Sequence, residues 1–179
     1  MTPLVFWLSY AFTAFVLVPA IFRLQHGRWP YSYPVTRPDR YLVIDFAYGA
    51  ATAGFTLYLI ASFATGMSLP TSEVQAAGVA AGVLAVAIIA WSILSLGSSW
   101  RIGQDVHAGD VSKVTTGPYR LVRHPIYIAL ILLSLAMILM AGVTIGTTTF
   151  IVVTIAYAFV QGWNENHRWH EADAQLRRP

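Results

Sequence analysis

Five long apolar runs alternate with shorter polar segments along this chain, at roughly 4–22, 41–66, 76–97, 126–142 and 145–163. An α-helix rises about 1.5 Å per residue, so about 20 residues cross the roughly 30 Å hydrocarbon core of a bilayer. The pattern predicts an all-α, polytopic integral membrane protein with about five transmembrane helices. The fourth run is short for a span, and only Val143-Thr144 separate it from the fifth, so the two form a tight helical hairpin. The first run lacks a basic leader and a small-residue cleavage site, so it reads as a retained helix rather than a signal peptide. Neither a long-period repeat nor a low-complexity tract interrupts the pattern, and residues 1–179 read as a single membrane domain. Gly78-x-x-x-Gly82, in the Ala-rich third run, suits close internal packing of helices better than a dimer seam.

The charges orient this frame. Of the eleven Lys and Arg residues, Arg23, Arg28, Arg37 and Arg40 follow the first run, and Arg101, Lys113, Arg120 and Arg123 follow the third. Arg168, Arg177 and Arg178 follow the fifth, and the 67–75 connection holds only Glu73. A five-span topology puts every cation on one side, so the positive-inside rule predicts an external N-terminus and a cytoplasmic C-terminus. Trp7, Trp29, Trp100, Trp163 and Trp169 fall near predicted helix ends, where an aromatic belt would lie.

Composition narrows the function classes. With 56% hydrophobic and 11% charged residues, the chain is not an ordinary soluble domain. The net charge of +3 suits anionic lipid headgroups and calls for no nucleic acid. Zero cysteines exclude disulfides, iron–sulfur clusters, thiolate zinc sites and cysteine nucleophiles. Glu165, His167, His170 and Glu171 cluster in the tail without a His-Glu-x-x-His pattern, so no metal site is expected. His26 and His107 read as loop residues. Asp45 stands about one turn inside the second run, where it would pair with Arg40 or face water, a structural role more than a functional one.

One polar stretch stands apart. Thr115-Thr116-Gly117-Pro118-Tyr119-Arg120-Leu121-Val122-Arg123-His124-Pro125-Ile126-Tyr127 is basic and turn-rich, and an apolar run begins directly after it. Gly117-Pro118 marks a turn, and Pro125 suits the first position of the next helix, where its missing N–H costs nothing. That helix start, with Arg123 and His124 beside it, would form a pocket for an anionic group. Upstream lie Leu96-Gly97-Ser98-Ser99-Trp100-Arg101 and Gln104; after the last run, Gln161 and Glu165 stand four apart on one helical face. Snorkelling by Arg123 and His124 beside a capping proline would explain Arg-His-Pro alone, but not the cooperation of these parts.

From Leu96 to Glu165 the chain resembles the isoprenylcysteine carboxyl methyltransferase family, and its bacterial-type members in particular, within the wider group that includes phospholipid N-methyltransferases. The resemblance is carried by Gly-x-Tyr-x-x-x-Arg-His-Pro-x-Tyr, the Leu-Gly-x-x-Trp element and Glu165. It implies an S-adenosylmethionine pocket formed by 98–125 together with 161–179, as cytoplasmic cofactor-binding elements. The implied contacts are Gln104, Val111, Ser112, Lys113, Val114, Tyr119, His124, Pro125, Ile126, Tyr127 and Glu165, with Arg123 placed to hold the cofactor carboxylate. Two departures bear on the acceptor. The family's carboxyl methyltransferases have an arginine four residues before the glutamate, where this chain has Gln161; Arg168, one turn beyond Glu165, could replace that charge. Gln161 and Arg168 are therefore the candidate catalytic positions. The paired glutamates of the family are here Glu165-Asn166, and the family's Phe-Gly and tyrosine tail pattern is missing.

The expected activity is S-adenosylmethionine-dependent methyl transfer to a lipophilic or amphipathic substrate, a prenylcysteine-like carboxylate being one acceptor the resemblance allows. The alternatives are a phospholipid amine N-methyltransferase and a non-catalytic small transporter or sensor. Expected partners are the lipophilic or lipid substrate and membrane lipids, in a bacterial inner membrane with the active site facing the cytoplasm.

Overall fold

The computed structural model describes residues 2–31, 40–100 and 114–176. Five helices account for most of them: α1 (Pro3–His26), α2 (Arg40–Ala64), α3 (Ser72–Leu96), α4 (Pro125–Ala141) and α5 (Ile145–Leu176). Four stretches, Pro3–His26, Val43–Ala64, Ser72–Ser99 and Ile145–His167, are long and apolar enough to cross a membrane. The 17 residues of α4 make a shorter apolar helix of about 26 Å. The fold is thus all-helical among the described residues and polytopic in character, as the hydropathy pattern predicts, with four helices long enough to span and one short apolar helix. α5 also runs well past the expected end of its apolar run, carrying its polar face toward the Arg-His-Pro segment.

Local chemistry explains the irregular points. Pro19 has no N–H to give to the Phe15 carbonyl, and a π-helical turn at Thr13–Leu17 absorbs the break in α1. The Tyr31 hydroxyl donates to that same Phe15 carbonyl at 3.3 Å, returning a donor to the oxygen that Pro19 leaves unserved. Gly27, at φ +69°, ends α1 with its N–H on the Arg23 carbonyl. The α4–α5 hairpin is as tight as expected. Gly142 terminates α4 at φ +86°, and Thr144 and Thr147 cap α5 reciprocally, each backbone N–H donating to the other's hydroxyl at 2.9 and 3.2 Å.

The core gathers aromatic rings from α1, α2 and α5 against methionines of α4. Trp7 meets Phe55 and Phe150 edge-on, those two rings stack at 4.3 Å, and the Trp7 indole donates to Thr56 Oγ1 at 2.8 Å. Trp7 is 1% exposed and Trp100 5%, so neither belongs to an interfacial belt, whereas Trp29 and Trp163 are exposed. Proximity to a helix end did not distinguish a ring at the lipid border from one turned into the bundle. Gly78 and Gly82 do lie inside the molecule. A Cβ on Gly78 would sit 2.6 Å from Met140 Cγ, and one on Gly82 would overlap the Phe6 ring.

Contacts also draw the basic segments toward one end of the bundle. Arg28 donates to the Ser98 carbonyl, and Phe22, one turn before His26, packs edge-on to Trp100 at 5.2 Å. The end of α1 and the end of α3 are therefore neighbours, and the segment that follows α3 starts there. His26 is the last residue of α1 and packs on Phe22 at 4.5 Å, where a loop position was expected.

Candidate functional site

The segment before α4 is held by its glycine. Gly117 opens a 3₁₀ turn, Gly117–Arg120, at φ +59°, and a Cβ there would overlap Ser95 Oγ. Only glycine combines the left-handed backbone with so close an approach to α3. Pro118 is buried, and its carbonyl accepts from the N–H groups of Leu121 and Val122, folding the turn back on itself. His124 then adopts φ −129°, ψ 65°, outside the helical region as a residue before proline must, and Pro125 starts α4. Among the described residues no side chain caps this helix start. Its first N–H groups have no partner within the helix, as at any helix start.

The polar end of α5 answers from the other side. Tyr127 Oη donates to Glu165 Oε1 at 2.5 Å, and His124 Nδ1 lies 3.1 Å from Glu165 Oε2. Asn166 Oδ1 accepts from Arg123 Nη1 at 3.2 Å and lies 3.2 Å from His124 Nε2. The His124 ring covers Gly162, where an added Cβ would meet it at ordinary contact distance. Tyr119, half-buried, belongs to the same neighbourhood. Burial first and then the Glu165 charge push its hydroxyl up from the ordinary phenol range, so it stays a neutral donor. The structure thus brings together Tyr119, Arg123, His124, Pro125, Tyr127 and Glu165, with Ile126 in the first turn of α4 and Val114 leading into the 3₁₀ turn. Gln104, Val111, Ser112 and Lys113 lie outside the described residues, as does the side chain of Arg168, whose backbone continues α5.

A second polar group lies one turn deeper. Gln161 is buried; its Nε2 donates to Asp45 Oδ1 at 2.5 Å, and its Oε1 accepts from Asn164 at 3.4 Å. Tyr157 Oη donates to the same Asp45 oxygen at 3.0 Å. Asp45 therefore faces α5; the pairing with Arg40 expected from sequence involves a side chain that lies outside the described residues. Tyr157 stacks on Tyr48 at 4.0 Å and 10°, and it meets Tyr127 edge-on at 6.0 Å. Through Tyr157 and Tyr127 the Asp45 group adjoins the Glu165 group. Sequence reasoning singled out neither Tyr157 nor the bridging part of Asn166. Tyr157 stands four before Gln161 and eight before Glu165, so the helical face that carries those two also carries it.

An all-helical membrane fold thus gathers a carboxylate, imidazole, guanidinium and phenol at one helix start. This chain belongs to the phospholipid methyltransferase family, whose model matches residues 74–171, more than half of its 179 residues. The match covers nearly all of α3, all of α4 and most of α5; α1 and α2, including Asp45, precede it. No curated protein and no solved structure matches the chain. Among the described residues no three His, Asp or Glu side chains gather as metal ligands would.

The donor set fits the amino-acid end of S-adenosylmethionine. Glu165 offers a carboxylate for an ammonium or hydroxyl, while Arg123 and the uncapped start of α4 offer positive ends for a carboxylate.

Proposed function

We propose that the protein is an S-adenosylmethionine-dependent methyltransferase whose acceptor is a lipid or amphipathic amine. The observation that carries the cofactor assignment is Glu165, held on both oxygens by Tyr127 and His124 directly beside the α4 start. The bound cofactor supplies an electrophilic methyl group, so positioning and exclusion of water contribute more than an acid–base pair. Glu165 takes the amino or hydroxyl groups of the cofactor, Arg123 and the Pro125 turn take its carboxylate, and Gln104 with Val111, Ser112, Lys113 and Val114 complete the rim. Tyr119 remains a neutral donor at this rim. Residues 98–125 and 161–179 serve as the cofactor-binding elements, facing the cytoplasm of a bacterial inner membrane.

Two observations favour an amine over a prenylcysteine-like carboxylate. Gln161 is neutral where the carboxyl methyltransferases have arginine, and its amide is committed to Asp45. A carboxylate acceptor would meet the Asp45 carboxylate there and need a compensating cation. Arg168 would have to supply that cation for the carboxylate reading to hold. Membership of a phospholipid methyltransferase family supports the same choice.

Calorimetry with S-adenosylmethionine on detergent-purified protein tests the cofactor assignment. Transfer of labelled methyl into a fractionated lipid extract tests the acceptor. Saturable binding, with label recovered in an amine-bearing lipid or amphipath, is expected. No binding would return the non-catalytic transporter or sensor reading, and base-labile label in an ester would return the carboxylate.

A further inference from the structure

We propose that the end of α1 is a binding site for the phosphate headgroup of an anionic membrane phospholipid, held by Arg23 and Arg28. This assignment does not depend on the methyl-transfer reading, and neither arginine belongs to the cofactor group.

Both guanidinium groups are seated on aromatic rings, and neither forms an ion pair among the described residues. Arg23 lies over the Trp29 ring at 4.7 Å, and Arg28 lies over Phe22 at 5.2 Å. The Phe22 ring also carries His26, tilted at 4.5 Å. Gly27 turns the chain at φ +69°, so Arg28 and Trp29 fold back on the last turns of α1. Two guanidinium groups and an imidazole are thereby gathered at one helix end.

Arginines at such a place can simply complement the carbonyl end of the helix or reach past it to water. Here neither guanidinium bonds a carbonyl of the last turn of α1, among the described residues. The Gly27 N–H serves the Arg23 carbonyl, and Arg28 reaches across to the Ser98 carbonyl beyond α3. A guanidinium seated on a ring keeps N–H groups for oxygen acceptors, and a phosphate takes two of them as a fork. The rings fix the arginines before any ligand arrives, which lowers the entropy lost on binding.

The surroundings select a lipid over a free anion. α1 is long and apolar enough to span, so this end lies where headgroups lie. Trp29 and Tyr31 are exposed, with rings 6.3 Å apart, as suits the membrane–water border. Ile21 and Leu24, on the last turns of α1, are exposed too and offer an apolar surface to acyl chains. A choline headgroup would bring its own cation toward two guanidinium groups, so the site favours a lipid of net negative charge.

The test uses the full chain in uncharged maltoside micelles, titrated by calorimetry at one ionic strength. The probes are dihexanoyl phosphatidylglycerol, dihexanoyl phosphatidylcholine and inorganic phosphate. Phosphatidylglycerol should bind saturably, about tenfold or more tighter than either other probe. Arg23→Gln should weaken it about fivefold, and Arg23→Gln with Arg28→Gln about twentyfold or more. Arg23→Lys keeps the charge without the fork and should recover part of the loss. If the double variant fails to fold for want of the Ser98 contact, Arg23→Glu, at an exposed position, should bring phosphatidylglycerol down to the affinity of phosphatidylcholine. Equal affinity for the two lipids in wild type, or unchanged phosphatidylglycerol affinity in Arg23→Gln and Arg23→Glu, would overturn the site. Inorganic phosphate bound as tightly as phosphatidylglycerol would overturn the lipid as its occupant.

Discussion

Tyr127 donates to Glu165 across 38 positions of sequence, at 2.5 Å, and so ties the first turn of α4 to the polar end of α5. His124 takes the other oxygen of the same carboxylate at 3.1 Å. The site is therefore a clasp between two helices already joined at their far ends by the Gly142–Thr144 turn. Tyr127→Phe opens one side of the clasp and Glu165→Gln removes its charge. A charge-assisted hydrogen bond contributes about 1.5–3 kcal/mol, so each change should weaken S-adenosylmethionine binding more than about tenfold by calorimetry. The double variant should lose less than the sum, because both changes break one contact. Fully additive losses would mean that the two side chains act apart.

Gly117 should be irreplaceable for reasons of space and backbone together. Alanine there needs a left-handed φ and overlaps Ser95, so the 3₁₀ turn must leave α3. Gly117→Ala should reduce S-adenosylmethionine affinity at least about tenfold, since strain of roughly 1–3 kcal/mol is relieved by moving the Arg-His-Pro segment. Ser95→Ala, which removes the overlapping hydroxyl, should recover part of the loss. No effect of Gly117→Ala would place the turn away from Ser95.

Much of this arrangement was legible in the sequence. Apolar runs long enough to span a bilayer, a proline at a helix start and a glycine at a turn each follow from strong local physics, and α4, α5 and their hairpin appeared near the expected positions. The Arg-His-Pro turn stands out as a polar motif beside an apolar helix, the family resemblance adds Glu165, and the structure sets the two side by side. The placement of Asp45 was not. Its position near a helix end allowed solvent or Arg40 as readily as α5, and only packing of α2 on α5 selects Tyr157 and Gln161. Trp7 misled for a similar reason: a ring near a helix end can face lipid or core, and helix rotation decides between them.

The small-residue pair on α3 makes a stability prediction with a built-in control. A Cβ at Gly82 overlaps the buried Phe6 ring, while one at Gly54 on α2 meets nothing within 4 Å. Gly82→Ala should lower the thermal midpoint, consistent with overpacking costs of about 1–3 kcal/mol. Gly54→Ala should leave it unchanged or raise it, because alanine is favoured over glycine in a helix by up to about 1 kcal/mol. Equal shifts in the two variants would deny the close α1–α3 approach.

Orientation follows from the cations. All eleven Lys and Arg fall in segments that a five-span path puts on one side. Reporter fusions after residue 179 and within 67–75 should report opposite faces, with the C-terminus cytoplasmic. Matching signals would leave α4 as a helix that does not cross, which its 17 residues would permit.

Gln161 offers the sharpest test of how the acceptor is chosen. Its amide lies 2.5 Å from Asp45, so Gln161→Arg would set a guanidinium against that carboxylate. The added guanidinium would offset the Asp45 charge, and its fork can receive an anion. Binding of decyltrimethylammonium should fall about tenfold or more and that of decanoate, a probe of equal chain length and opposite charge, should rise, because a positive charge enters beside the proposed acceptor position. S-adenosylmethionine affinity should change less than about threefold, because Glu165, Tyr127 and His124 keep their contacts one turn away. Label transfer to amine lipids should drop in parallel with cation binding. A variant that keeps its cation preference and loses S-adenosylmethionine would reverse the assignment, putting Gln161 on the cofactor side of α5 and the acceptor elsewhere.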